Sequence, residues 1–184
     1  AVRNAFTLDA LRPYIGEERF DRLYPSQSLA QAGAYLVGGS DWPVDPFNPF
    51  NQIATAIDRR DPHGDDPRVL GPHERLTRDQ SLQMHTRGSA RQLHAARTGT
   101  VEVGKVADLM VLDRDITVVP VDDIRSTEVM STIIGGEVVY DASTSTAARA
   151  RRAADGRAQA QATLAAVGAG SRVPGACCRV HVHG

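Results

Sequence analysis

Ala34-Tyr35-Leu36-Val37-Gly38-Gly39-Ser40-Asp41-Trp42-Pro43 is the stretch whose reading decides the fold. Four apolar residues run into a glycine pair, which favours a short buried strand over a helix. The polar Ser40-Asp41 follows, and Pro43 stops the run. Asp41 is therefore expected just past the C-terminal end of a strand. That is where α/β barrels place catalytic groups, and a carboxylate there can ligate a metal and take a proton from a bound water. Taken alone, the pattern more often describes an aspartate capping a turn or helix.

Upstream, residues 1–33 read as a polar loop and a helical stretch, with Leu23, Leu29 and Ala30 as core positions. Downstream, Asn48-Pro49 opens a helix, Asn as cap and Pro in the first turn. Phe50, Ile53, Ala54 and Ile57 line one face of it until it fades at Arg59-Arg60. Residues 61–76 hold three prolines and two glycines and read as a loop. Thr77-Arg78-Asp79-Gln80 has the form of a capping box. It predicts a helix to about Arg87, an interruption at Gly88, and a shorter helical piece to about Ala96.

Beyond Thr98 the pattern turns to strands: Val101–Val103, Leu109–Leu112, Val118-Val119 before Pro120, then Val129–Ile134 and Glu137–Tyr140 around Gly135-Gly136. The last two predict a β-hairpin with a primed turn. From Ala142 the chain is rich in Ala, Arg, Gln, Ser and Gly, and has too few large apolar residues to offset the entropy of ordering. The expected organisation is 1–97, 98–141 and a flexible tail at 142–184.

The chain has 184 residues and a formal charge of −1, so there is no global basic footprint for nucleic acid. From Ala142 onward six Arg and one Asp give +5, leaving −6 on the remainder, and Lys105 is the sole lysine. No apolar run approaches the roughly 18 residues that cross a bilayer, so no membrane partner is expected. Ala1 in place of Met suggests a chain cut from something longer, and no charged-then-apolar leader that would read as a signal peptide follows it. Cys177 and Cys178 are neighbours, an arrangement that strains a disulfide. They read as free thiols and fit a reducing compartment, the cytoplasm.

Other motifs carry less. Gly99 to Lys105 matches the start of a phosphate-binding loop, but Val106 replaces the hydroxyl residue that holds magnesium, and strands flank it where a helix is required. His181-Val182-His183 has metal-site spacing but ends the tail. His85 and His94, nine residues apart, would point to opposite sides of an unbroken helix. His63 and His73 lie in the Pro/Gly-rich loop, Asp122-Asp123 reads as a turn or cap pair, and the Arg cluster at 149–157 as a solvated helix face.

Several segments together resemble the amidohydrolase superfamily, specifically the amidohydrolase 3 group with the YtcJ-like proteins. They are Gly16-Glu17-Glu18-Arg19, Tyr24 to Leu29, Gly38 to Val44, Ala56 to Arg59, Leu76-Thr77 with Leu82 and Thr86, Gly99 to Lys105, Ala107-Asp108-Leu109 with Leu112-Asp113, and Thr132 to Tyr140. The resemblance covers about residues 5–141. It implies an α/β fold: the C-terminal part of a (β/α)8 barrel plus the C-terminal share, residues 98–141, of a small β-sandwich built from both chain ends. Tyr35–Gly38 would be the last barrel strand. Asp41 would be metal ligand and general base for the attacking water. Trp42 and Arg59 match recurring family positions and are the candidate substrate-binding residues, in a pocket-lining or structural role. The implied reaction breaks the carbon–nitrogen bond of a small amide-type substrate through zinc or another divalent metal.

The family's remaining metal ligands, a His-x-His pair, a mid-barrel Lys or carboxylate and two further histidines, have no counterpart here. The expected partner is therefore an N-terminal barrel segment. Alone, the chain is expected to be inactive and to hold no metal tightly. The alternative is a non-catalytic truncated remnant or interaction module of the same family. A D-aminoacylase-like or dihydropyrimidinase-like branch is a further reading.

Overall fold

The computed structural model describes residues 9–43, 45–62 and 67–146. Three short helices come first: α1 (Arg12–Ile15), α2 (Glu17–Asp21) and α3 (Ser26–Gln31). Phe20 is buried among them, whereas Leu29 is exposed and Leu23 half-buried, so the core position of this stretch is Phe20. The Arg12 guanidinium covers the Phe20 ring, 4.0 Å from its centroid.

Helix α4 (Pro49–Asp58) forms as its sequence predicts. The Asn48 side chain accepts from the Phe50 amide at 2.9 Å, Pro49 occupies the first turn, and Phe50, Ile53 and Ala54 are buried. Arg59 ends the helix in the left-handed region at φ 59°. A short 3-10 turn (Pro72–Glu74) leads to α5 (Arg78–Gln83), whose capping box is complete: Thr77 Oγ1 accepts from Gln80 N, and Gln80 Oε1 accepts from Thr77 N. The expected break at Gly88 does not occur. The backbone passes through a π-helical turn (Met84–Gly88) into α6 (Ser89–Gln92), with Gly88 itself helical.

The sheet has three antiparallel strands in the order β1 (Leu109–Leu112), β2 (Val129–Ile134), β3 (Glu137–Asp141), with α7 (Val121–Arg125) between the first two. Gly135 and Gly136 turn the hairpin at φ 60° and 90°, as a primed turn requires. Asp108 supports it, its carboxylate accepting from Gly135 N at 2.8 Å while Gly136 N donates to the Ala107 carbonyl. Lys105 donates to the Ala96 carbonyl at 2.6 Å. The Gly-Lys-x-Ala-Asp-Leu segment thus serves as a brace for the hairpin.

Beyond Thr98, two strand expectations fail. Val101–Val103 is not a strand; both valines are exposed and Lys105 N closes a turn on the Glu102 carbonyl. Val118 and Val119 likewise sit in a turn, organised by Asp115, which accepts from Thr117 N at 2.9 Å. Segments of two or three residues, with no strand partner to hold them extended, yield to local turn chemistry.

The core gathers Phe50, Ile53 and Ala54 of α4 and Ile124 of α7, with Leu82, Leu112 and Val129 packed against them. One apolar cluster thus draws on both sides of residue 98. Arg125 ties α7 to α4 through the Asp58 carboxylate (2.5 Å) and the Thr55 hydroxyl (3.0 Å). The chain divides into two compact units, Ala1–Tyr140 and Asp141–Gly184. In the second, the Asp141 carboxylate accepts from Ser143 N at 2.8 Å.

The expected α/β class holds. Among the described residues there is one antiparallel sheet; the closed (β/α)8 barrel and the two-sheet sandwich are not present. Barrel closure takes roughly 200 residues or more.

Candidate functional site

Residues 34–40 form neither helix nor strand and pair with no strand among the described residues, so in place of the expected buried barrel strand there is an exposed segment, with Tyr35 at 66% exposure. Its support is helical. Gly38 N donates to the Met84 carbonyl at 3.1 Å, and the Arg91 guanidinium stacks 3.4 Å from the Tyr35 ring centroid. Neither glycine of this contact has room for a Cβ as packed: the one at Gly38 would have to displace the His85 ring, and the one at Gly88 would meet backbone. A Cβ on Gly38 would lie 2.4 Å from His85 Cε1, and one on Gly88 would lie 2.3 Å from the Leu36 carbonyl oxygen.

The segment delivers Asp41 onto an exposed turn, at φ 55°. Aspartate tolerates this left-handed conformation better than most residues. Trp42, also exposed, stacks on Phe47 with ring centroids 4.5 Å apart and planes 17° from parallel.

Beside the turn lies a cavity of about 200 Å³, bounded by Gly38 and Gly39, by Asn51, Thr55 and Arg59, and by His85. Arg59 is 2% exposed, and its guanidinium is spent on backbone: Nε donates to Leu70 O (2.7 Å), and its terminal nitrogens to Tyr24 O (2.9 Å) and Leu23 O (2.8 Å). Burial lowers its pKa, and the nearby Glu74 opposes that. Glu74 is itself buried and accepts from the Ser28 amide (2.8 Å) and the Ser28 hydroxyl, at the start of α3. Burial pushes its carboxyl up, but the bonds from Ser28 and Gln27 and the proximity of His73 outweigh this, and the group stays below the usual range. His85 has a buried, unpartnered Nε2, and burial holds its pKa below the ordinary histidine value.

Of the sequence candidates, Arg59 lines the cavity, while Asp41 and Trp42 stand on the exposed turn. His85 and His94 border different cavities, in keeping with their expected separation. Sequence reading passed over Glu74 and single out no role for His85 alone; Glu74 and Ser28 are 46 residues apart, beyond any local pattern. His63, Cys177, Cys178, His181, His183 and the Arg cluster at 149–157 lie outside the described residues.

Among the described residues no three His, Cys, Asp or Glu side chains converge as a metal site. A catalytic zinc usually takes three protein ligands and a water. Asp41 has no such companions among the described residues, which do not by themselves fit a tightly held zinc. No helix among them is long and apolar enough to cross a membrane.

A model of the amidohydrolase family matches residues 2–140, and the chain belongs to that family, in its amidohydrolase 3 group. Three relatives are similar over most of this chain. The N-substituted formamide deformylase of Arthrobacter pascens is 31% identical over 65% of the chain and 22% of its own length. YtcJ of Bacillus subtilis (strain 168), which carries an amidohydrolase name, is 27% identical over 70% of the chain and 25% of its own length. Protein LONG AFTER FAR-RED 3 of Arabidopsis thaliana is 33% identical over 72% of the chain and 22% of its own length. The chain therefore spans a quarter or less of the length of these curated relatives. No solved structure gives a significant match.

Proposed function

We propose that this chain supplies Asp41, on the turn after residues 34–40, to an amidohydrolase centre that hydrolyses carbon–nitrogen bonds of small amide-type substrates. The observation that carries the reading is the placement of Asp41, exposed on the turn that ends the 34–40 segment, in a chain of this family. A carboxylate free to face solvent can accept the proton of a water attacking a carbonyl carbon. The name of the Arthrobacter relative, a deformylase of N-substituted formamides, supports an amide-type substrate.

The zinc or other divalent ion implied by the family would take Asp41 as one ligand of a set completed outside the described residues, and would supply Lewis acidity there. Trp42, next to Asp41, offers an exposed ring face to the apolar part of a substrate. Arg59 holds the wall of the neighbouring cavity through its three carbonyl partners. In this reading residues 1–97 belong with a barrel, residues 98–141 with a small β-domain, and 142–184 form an appendage. The 184-residue chain alone is inactive, and activity requires the barrel segment that carries the remaining ligands.

The test is amine release from a panel of N-substituted formamides and simple amides, with divalent metal supplied. It compares the 184-residue chain with a protein that joins it to an N-terminal barrel segment of the family. Turnover by the joined protein alone is the expected result. No hydrolysis of any amide by either would overturn the reading and favour a non-catalytic interaction module.

A further inference from the structure

A second cleft, of about 380 Å³, shares no lining residue with the cavity above. The cations Arg87, Arg91 and Lys105 border it, together with His94, Thr98 and Thr100, and no Asp or Glu does. This gathering of cations, the chain's sole lysine among them, stands out because residues up to Asp141 carry a net −6.

The walls are built by close packing. Gly99, at φ 84°, lies so near the helix that a Cβ there would come within 2.6 Å of Ala90 Cβ and 2.9 Å of Arg87 Cα. Val106 N donates to the Arg97 carbonyl at 2.8 Å, which holds Lys105 against the end of the helical segment. Each cation is anchored by one contact and keeps donors to spare. Arg87 donates to the Gln83 side chain, Arg91 stacks on Tyr35, and Lys105 spends one of its three N–H bonds on Ala96 O. Among the described residues none of the three forms an ion pair. The Thr100 hydroxyl is buried and has no hydrogen-bond partner. Rotation about its χ1 would exchange the hydroxyl with the methyl and cost it no bond.

We propose that this cleft binds a phosphoryl-type anion. Two guanidinium groups, an ammonium and a hydroxyl offer more donors than one carboxylate can use, and they suit a tetrahedral oxyanion. Anchored side chains lose less entropy on binding than free ones. The same chemistry serves inorganic phosphate and the phosphate group of a small metabolite.

The test is calorimetric titration of the 184-residue chain with inorganic phosphate and, separately, with glycerol 3-phosphate, against sodium chloride at matched ionic strength. Saturable one-to-one binding is expected. Arg91→Gln, at an exposed position, should weaken it about tenfold or more, as loss of a charged hydrogen bond does. Thr100→Val should also weaken it while leaving the thermal midpoint without phosphate unchanged or higher, because an unpartnered hydroxyl is removed. Arg22→Gln, just past the end of α2, should leave binding unchanged. Tighter binding of the ester assigns the cleft to an organic phosphate, and equal binding to the free ion. Heats that do not saturate, or saturable binding indifferent to both Arg91→Gln and Thr100→Val, would overturn the proposal.

Discussion

Arg59 shows how one residue type can be read in two ways. In sequence it is a basic residue at a helix end near a candidate site. In the structure its three donors hold three carbonyls from two other segments, and the side chain is buried. Arg59→Met keeps the aliphatic stem and strands those acceptors, at a cost of about 2–3 kcal/mol given the penalty for unsatisfied buried groups. A urea midpoint lowered accordingly, with Arg59→Lys only partly restoring it, is the expected result. An unchanged midpoint would return Arg59 to a purely substrate-facing role. His85 adds a pH dependence with a definite sign. Burial depresses its folded-state pKa, so the unfolded chain binds the proton more readily. Stability is therefore full above the unfolded value of about 6.5 and declines as pH falls below it. Urea midpoints at pH 7.5 and 5.5 should differ more for the wild type than for His85→Leu. This window lies above the carboxylate range in which Glu74 titrates. Equal pH sensitivity in the two proteins would refute the assignment.

At the scale of elements, the packing of residues 34–40 on the Met84–Gln92 helical run rests on two missing side chains. Gly88→Ala makes this a contest of known sign. In a helix interior the change ordinarily gains about 1 kcal/mol. Here the new Cβ meets the Leu36 carbonyl oxygen at 2.3 Å, and a backbone atom cannot step aside cheaply. Net destabilisation is expected, with faster proteolysis at residues 34–40. A stabilised variant would show that the segment does not lie on the helix. The elements legible in sequence were those written locally. The Asn48-Pro49 start, the Thr77–Gln80 capping box and the Gly135-Gly136 turn each satisfy their own backbone within a few residues. What escaped was non-local. Tyr35–Gly38 has the composition of a strand, but a ladder needs a neighbour, and the partners found for it are a helix carbonyl and a guanidinium. Gly88 looked like a break because its lack of a side chain suggests one; its role is the approach of Leu36. Of the candidate site, the sequence reading sets Asp41 just past a buried strand, whereas the structure has it on an exposed turn after a segment that pairs with no strand among the described residues. The burial of Arg59 and Glu74 was not legible, because their partners lie 35 and 46 residues away.

For the whole molecule, the described residues bring Asp41 to solvent without companions able to complete a metal site. Purified and dialysed, the 184-residue chain should retain well under one zinc per molecule by elemental analysis. One tightly held zinc, lost on His181→Ala, would make the tail a metal site in its own right. The central claim is that Asp41 acts in amide hydrolysis, and the most direct measurement is kcat for Asp41→Asn in the protein that joins this chain to its barrel segment. The amide keeps the shape and one oxygen but cannot accept a proton from the attacking water. Loss of about 10²–10⁴ in kcat at an unchanged thermal midpoint is the predicted result. An aspartate that only caps its turn is replaced by asparagine at little cost, so near-normal turnover in Asp41→Asn would contradict the account.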